Sequence, residues 1–122
     1  MNPPRVFASS DHMHPSEGEP IRSVVFESVH SVIVAWHVRP GQEIAPHVHP
    51  HGQDTWTVLS GNGLYQTDES GTTLPIGPGD IVVASQAQVH GVVCTSKEPL
   101  RFISVVAPCD AGYEPLRPTG TT

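Results

Sequence analysis

Lysine is almost missing from this chain: Lys97 is the single one, and the five arginines (Arg5, Arg22, Arg39, Arg101, Arg117) are scattered. Against twelve acidic residues this leaves a net charge of −6. A nucleic-acid or anionic-membrane surface requires clustered cations that displace counterions, so no nucleic acid and no membrane is expected as partner. Long apolar runs are also lacking, as is an N-terminal basic-then-apolar order, which argues against a membrane span or a secretory leader. Cys94 and Cys109 are the only cysteines. Two do not make a disulfide scaffold; although they could pair, the expectation is reduced thiols in the cytoplasm. No repeat recurs at solenoid spacing, and no segment carries convincing helical amphipathicity.

Turn formers are plentiful instead. Thirteen prolines and eleven glycines divide 122 residues into short pieces, enough for one domain around one core. Residues 1–20 are polar and aperiodic and read as an N-terminal arm, draped over the barrel or over a neighbouring subunit. Residues 21–108 hold the β-rich body, and 109–122 a Pro- and Gly-rich tail. Within the body, strands are expected at Ser23–Glu27, Ser31–Val38, Glu43–His49, Thr55–Ser60, Leu64–Thr67, Thr72–Ile76, Ile81–Ala84, His90–Thr95 and Leu100–Ala107. Gly61-Asn62-Gly63 and Gly77-Pro78-Gly79-Asp80 supply tight turns. The class is all-β, a sandwich or barrel.

Eight histidines is a high count for this length, and three fall within five residues: His47, His49 and His51. Residues two apart on a strand share a face, so His47 and His49 project together. Asp54 opens the next strand and a turn can return it beside them, while His90 begins a strand far along the chain. Imidazole with carboxylate suits one divalent ion of Fe, Mn, Ni, Co or Zn, and the lack of thiolate nearby argues against a structural zinc knot. His12 and His14 alternate too, but with no third ligand near they read as surface. His30 and His37 belong in or beside the early strands without catalytic duty.

Gly41, five residues, His47-Val48-His49, four residues, Asp54, six residues and Gly61 resemble the first motif of the cupin family, with aspartate where the family has glutamate. Gly79, five residues, Ser85-Gln86-Ala87, two residues, His90, three residues and Cys94 are similar to its second motif. There glycine and histidine match, while the Pro, Gly and Asn positions hold Ser85, Ala87 and Cys94. The resemblance covers about Val38 to Cys94. It implies a double-stranded antiparallel β-barrel (jelly-roll) with a metal inside, held by His47, His49, Asp54 and His90. Aspartate is one methylene shorter than glutamate, so Gln53 is a rival ligand, although adjacent strand positions face opposite ways. His51 is a third candidate, better suited to orienting a ligand or acting as the pocket's catalytic acid. Trp56 and Val58 share the parity of Asp54, and Cys94 that of His90. Gln53, Trp56, Tyr65 and Cys94 are therefore the candidate substrate-pocket residues, with Arg39 at the mouth.

The resemblance leaves three kinds of function. One is a metal-dependent dioxygenase on a small organic molecule, which is favoured slightly. Another is a redox-neutral isomerase, epimerase or lyase on a sugar or keto acid, the metal polarising a carbonyl and His51 moving a proton. The last is a non-catalytic small-ligand-binding cupin. With no cationic cluster beside the motifs, phosphorylated substrates are not expected. A homodimer through the arm and the apolar Ser23–Val38 segment is expected.

Overall fold

Runs rich in Val, Ile and aromatic residues, cut by Gly, Pro and Asp turns, form the strands of a computed structural model that describes residues 3–116. In chain order these are β1 (Ser23–Glu27), β2 (Val32–Val38), β3 (Glu43–Val48), β4 (Gln53–Ser60), β5 (Gly63–Gln66), β6 (Thr73–Ile76), β7 (Ile81–Ala84), β8 (His90–Cys94), β9 (Leu100–Ala107) and the two-residue β10 (Glu114–Pro115). One sheet runs β1-β2-β9-β4-β7 and the other β10-β3-β8-β5-β6, with every neighbouring pair antiparallel. The chain passes repeatedly from one sheet to the other, which makes a double-stranded β-barrel of jelly-roll type.

Three motif glycines have a backbone reason to be glycine. Gly41, Gly61 and Gly79 have φ of 84°, 75° and 87°, a region that side chains with a Cβ avoid. Ala87, where the second motif has glycine, also has a positive φ of 62°.

The interior is divided along the strands. At one end Val38, Val58, Tyr65, Ile76, Val92, Cys94, Leu100 and Phe102 pack into a closed core. The Trp56 ring stacks on Phe102 with centroids 4.1 Å apart and meets Tyr65 edge-on at 5.2 Å. Such pairs contribute about 0.5–1.5 kcal/mol each beyond their buried area. At the other end the sheets diverge around an open cavity of about 1060 Å³.

Two segments without strand periodicity are nevertheless tied down. In the N-terminal arm a 3₁₀ turn at Ser9–His12 packs on β1 and β2, and Phe7 lies against Phe26. Further on, the Gln42 amide donates to the carbonyls of Ser16 and Gly18. The tail returns over the cavity and pairs with β3 through Glu114 and Pro115. Among the described residues no helix is long and apolar enough to cross a membrane.

Candidate metal centre

His47 lies near the end of β3, and a register shift in the β3–β8 pairing between Ile44 and His47 brings both of these residues to the inner side. Two residues further, His49 shares the inward direction. Asp54 sits in β4 between Ala84 of β7 and Val106 of β9, and His90 opens β8 directly opposite His47. One ligand atom from each of His47, His49, Asp54 and His90 can be chosen so that all lie within 4.8 Å of one another.

Backbone carbonyls orient the three imidazoles. Nδ1 of His47 donates to Ala45 at 2.8 Å, that of His49 to Gly112 at 2.7 Å, and that of His90 to Gln88 at 3.0 Å. A carbonyl can only accept, so each ring is assigned its proton on Nδ1 and turns the Nε2 lone pair inward. The Nε2 atoms of His90 and His49 lie 3.0 Å and 3.3 Å from Asp54 Oδ2. A lone pair facing a carboxylate at that range is repulsive unless a cation lies between them, either a proton or a metal ion. The other carboxylate oxygen, Oδ1, accepts from the Ser104 hydroxyl at 2.5 Å.

The electrostatics follow the same logic. Burial opposes the charge on Asp54, but the close His49 and His90 imidazoles and the hydrogen bond from Ser104 outweigh it and hold the carboxyl well below its usual range. Burial also opposes charge on His49, yet Asp54 and the Gly112 carbonyl raise its pKa. His47, pushed down by burial and by the neighbouring His90, falls to about 4 and is neutral at neutral pH. An anion together with a neutral imidazole and two more inward-turned nitrogens is a donor set that fits a divalent transition metal. The shorter aspartate does reach the centre, because Oδ2 approaches two Nε2 atoms at once.

Several residues singled out in the sequence lie elsewhere. Gln53 is exposed on the outer face of β4, where its amide donates to Thr55 Oγ1, because neighbours on a strand face opposite ways. His51 is exposed on the turn after Pro50, its backbone N–H donating to the Ala111 carbonyl, and its side chain is not among the cavity walls. Cys94 does point into the barrel, but four residues along β8 from His90 it belongs to the closed core, with its thiol 3.5 Å from the Glu98 carbonyl. Tyr65 is likewise a core residue, its hydroxyl pKa raised by burial and then by the Asp54 charge. Of the four candidate pocket residues, only Trp56 lines the cavity. Arg39 lies outside it, and Cys94 and Cys109 are both free thiols.

Other cavity residues carried no signal in the sequence. Ser104 and Arg22 line it, as do Cys109, Asp110, Gly112 and Tyr113 of the tail. The Tyr113 ring sits 5.1 Å from His47 and 6.3 Å from His49 while remaining 61% exposed, so it stands at the rim above the two ligands. A tail without periodicity gives no hint that it folds back onto a ligand carbonyl by carbonyl.

The profile of the Cupin domain family matches residues 34–106. Among solved structures, an uncharacterized conserved protein with a double-stranded β-helix domain from Klebsiella pneumoniae is 50% identical, with a TM-score of 0.91, over 95% of this chain and 100% of that one. The fold is shared with KdgF from a Halomonas species (24% identity, TM-score 0.71, 85% and 94% coverage). It is also shared with the polyketide cyclase RemF from Streptomyces resistomycificus (21%, 0.74, 95% and 87%). No curated protein sequence matches the chain.

Proposed function

The chain belongs to the cupin family, and from that premise we propose that it is a metal-dependent enzyme acting on a small organic molecule held in the barrel mouth. The observation that carries this reading is the convergence of three carbonyl-anchored imidazoles and one carboxylate at the end of a large cavity. His47, His49, Asp54 and His90 would hold one divalent ion of Fe, Mn, Ni, Co or Zn. When bound, such an ion supplies Lewis acidity and, if redox-active, electrons for oxygen chemistry. The protein contributes the rest: Ser104 and three carbonyls fix the ligands, valine and tryptophan side chains form the apolar walls, and Tyr113 overlooks the open side.

Between oxygenation and redox-neutral isomerisation, epimerisation or elimination, the position of His51 favours oxygenation. The redox-neutral chemistries need a base beside the substrate. His51 is on the outer surface, and the other proton-carrying groups that line the cavity besides the ligands, Glu19, Glu43, Asp110, Cys109 and Tyr113, belong to its rim. A dioxygenase is therefore the preferred reaction class.

The test begins with metal analysis by plasma mass spectrometry on protein purified without a His-tag. About one equivalent of metal is expected in the wild type, and little in His47→Ala and Asp54→Ala. Oxygen uptake by the iron-loaded protein then examines the reaction class. Protein that contains no metal and cannot be loaded would instead be a non-catalytic binding barrel.

A further inference from the structure

The cavity walls narrow the ligand beyond the metal, on the premise of the metal centre above. The surfaces next to the ligand cluster are made by Val32, Val34, Trp36, Ile44, Trp56 and Val106. Apart from the tail's Tyr113 and Cys109 at the rim, the uncharged polar side chains of this lining outside the ligand cluster are already engaged. Ser104 gives its hydroxyl proton to Asp54. Gln42 donates its amide to the Ser16 and Gly18 carbonyls at 2.7 Å and 2.6 Å, and its Oε1 accepts the Arg39 N–H at 2.8 Å. The charged residues left over, Glu19, Arg22, Glu43 and Asp110, are all exposed and so belong to the rim. Three acids against one cation there do not favour a polyanion.

We infer that the ligand is a flat, largely apolar ring system, neutral or ionised at a single phenol or enol, with its oxygen directed to the metal and its hydrocarbon body against the partly exposed Trp36, Ile44 and Val106. A polyhydroxylated sugar fits poorly, because hydroxyls buried beside these walls lose water and find no partner. Each such hydroxyl lowers affinity by roughly tenfold. An aromatic body instead gains from displacing water off apolar wall and from the half-buried Trp36 ring. The cavity, about 1060 Å³, is slightly larger than the range of roughly 300–1,000 Å³ usual for small-ligand sites.

Calorimetric titration of the zinc-loaded full chain with 2-naphthol and with D-glucuronate tests this. Naphthol is expected to bind at least about tenfold tighter than glucuronate, and more weakly to metal-free protein. Trp36→Ala should weaken naphthol binding by about tenfold with zinc content unchanged, and Trp36→Leu, which keeps the volume filled, separates loss of the ring from loss of fold. Glucuronate binding as tight as naphthol to protein carrying its zinc would overturn the inference and leave the metal centre intact. Naphthol binding that ignores both Trp36 substitutions would overturn it as well. Failure to take up zinc strikes the metal centre instead, and naphthol affinity unchanged by metal removal overturns the oxygen-to-metal orientation.

Discussion

Ser104 bonds Asp54 Oδ1 with its hydroxyl, and that bond leaves Oδ2 to face the histidines. Groups that orient metal ligands in this way typically contribute 10–100-fold in affinity. Ser104→Ala is therefore expected to fold normally and to lose zinc affinity by roughly that factor, read by competition with a chromophoric chelator. Ala87 is a second informative residue. Its φ of 62° is left-handed, and its N–H donates to the carbonyl of the ligand His49 at 3.0 Å. A side chain in that region costs about 1–2 kcal/mol, offset partly by the flexibility glycine adds to the unfolded chain. Ala87→Gly should raise the urea midpoint, a gain of about 0.5–1 kcal/mol with an unchanged slope.

Among the elements, the tail from Pro108 to Leu116 joins the site along the β3 edge of the second sheet. Ala111 accepts the His51 N–H, Gly112 accepts from His49, Tyr113 stands at the rim, and β10 secures the end on β3. Gly52 makes this docking possible. A Cβ there would collide with Ala111 Cβ and with the Ala107 carbonyl oxygen. Gly52→Ala should lift the tail off, release the His49 ring and weaken metal binding, while the closed core at the far end stays packed. Limited proteolysis after residue 108 and a zinc titration are the measurements, and unchanged behaviour in both would count against a role for the tail.

The whole molecule leaves one broad surface apolar. On the outer face of the first sheet, Phe26, Ile33, Val105, Thr55 and Val83 are register partners across all five strands, and Ile103, Thr57 and Ile81 form the adjoining row, with the N-terminal arm covering part of the β1 and β2 end through Phe7. Phe26, Ile81 and Val83 there are 39%, 68% and 50% exposed. These rows carry no charge to select a charged partner, and a flat neutral face is self-complementary about a two-fold axis. We expect a second copy of this chain to cover it. Analytical sedimentation should show roughly twice the 13.1 kDa chain mass, and Ile103→Lys should return the monomer with its metal site intact.

Residue type and spacing alone determined much of this protein. Alternating apolar runs between glycines set the strands to within a residue or two at most boundaries, since period and turn chemistry are local properties. Histidines two apart, a carboxylate after a turn and a distant strand-opening histidine marked the ligand set through the motif spacing. Distance along the chain hid the remainder. Only the folded barrel brings Ser104 of β9 onto Asp54, Gly112 of the tail onto His49, and Arg22 to the cavity. Parity along β8 was correct in turning Cys94 inward, but parity gives a face and no depth. The packing of the two sheets decided that Cys94 and Tyr65 fill the closed core, whereas the ligands and Trp56 border the cavity.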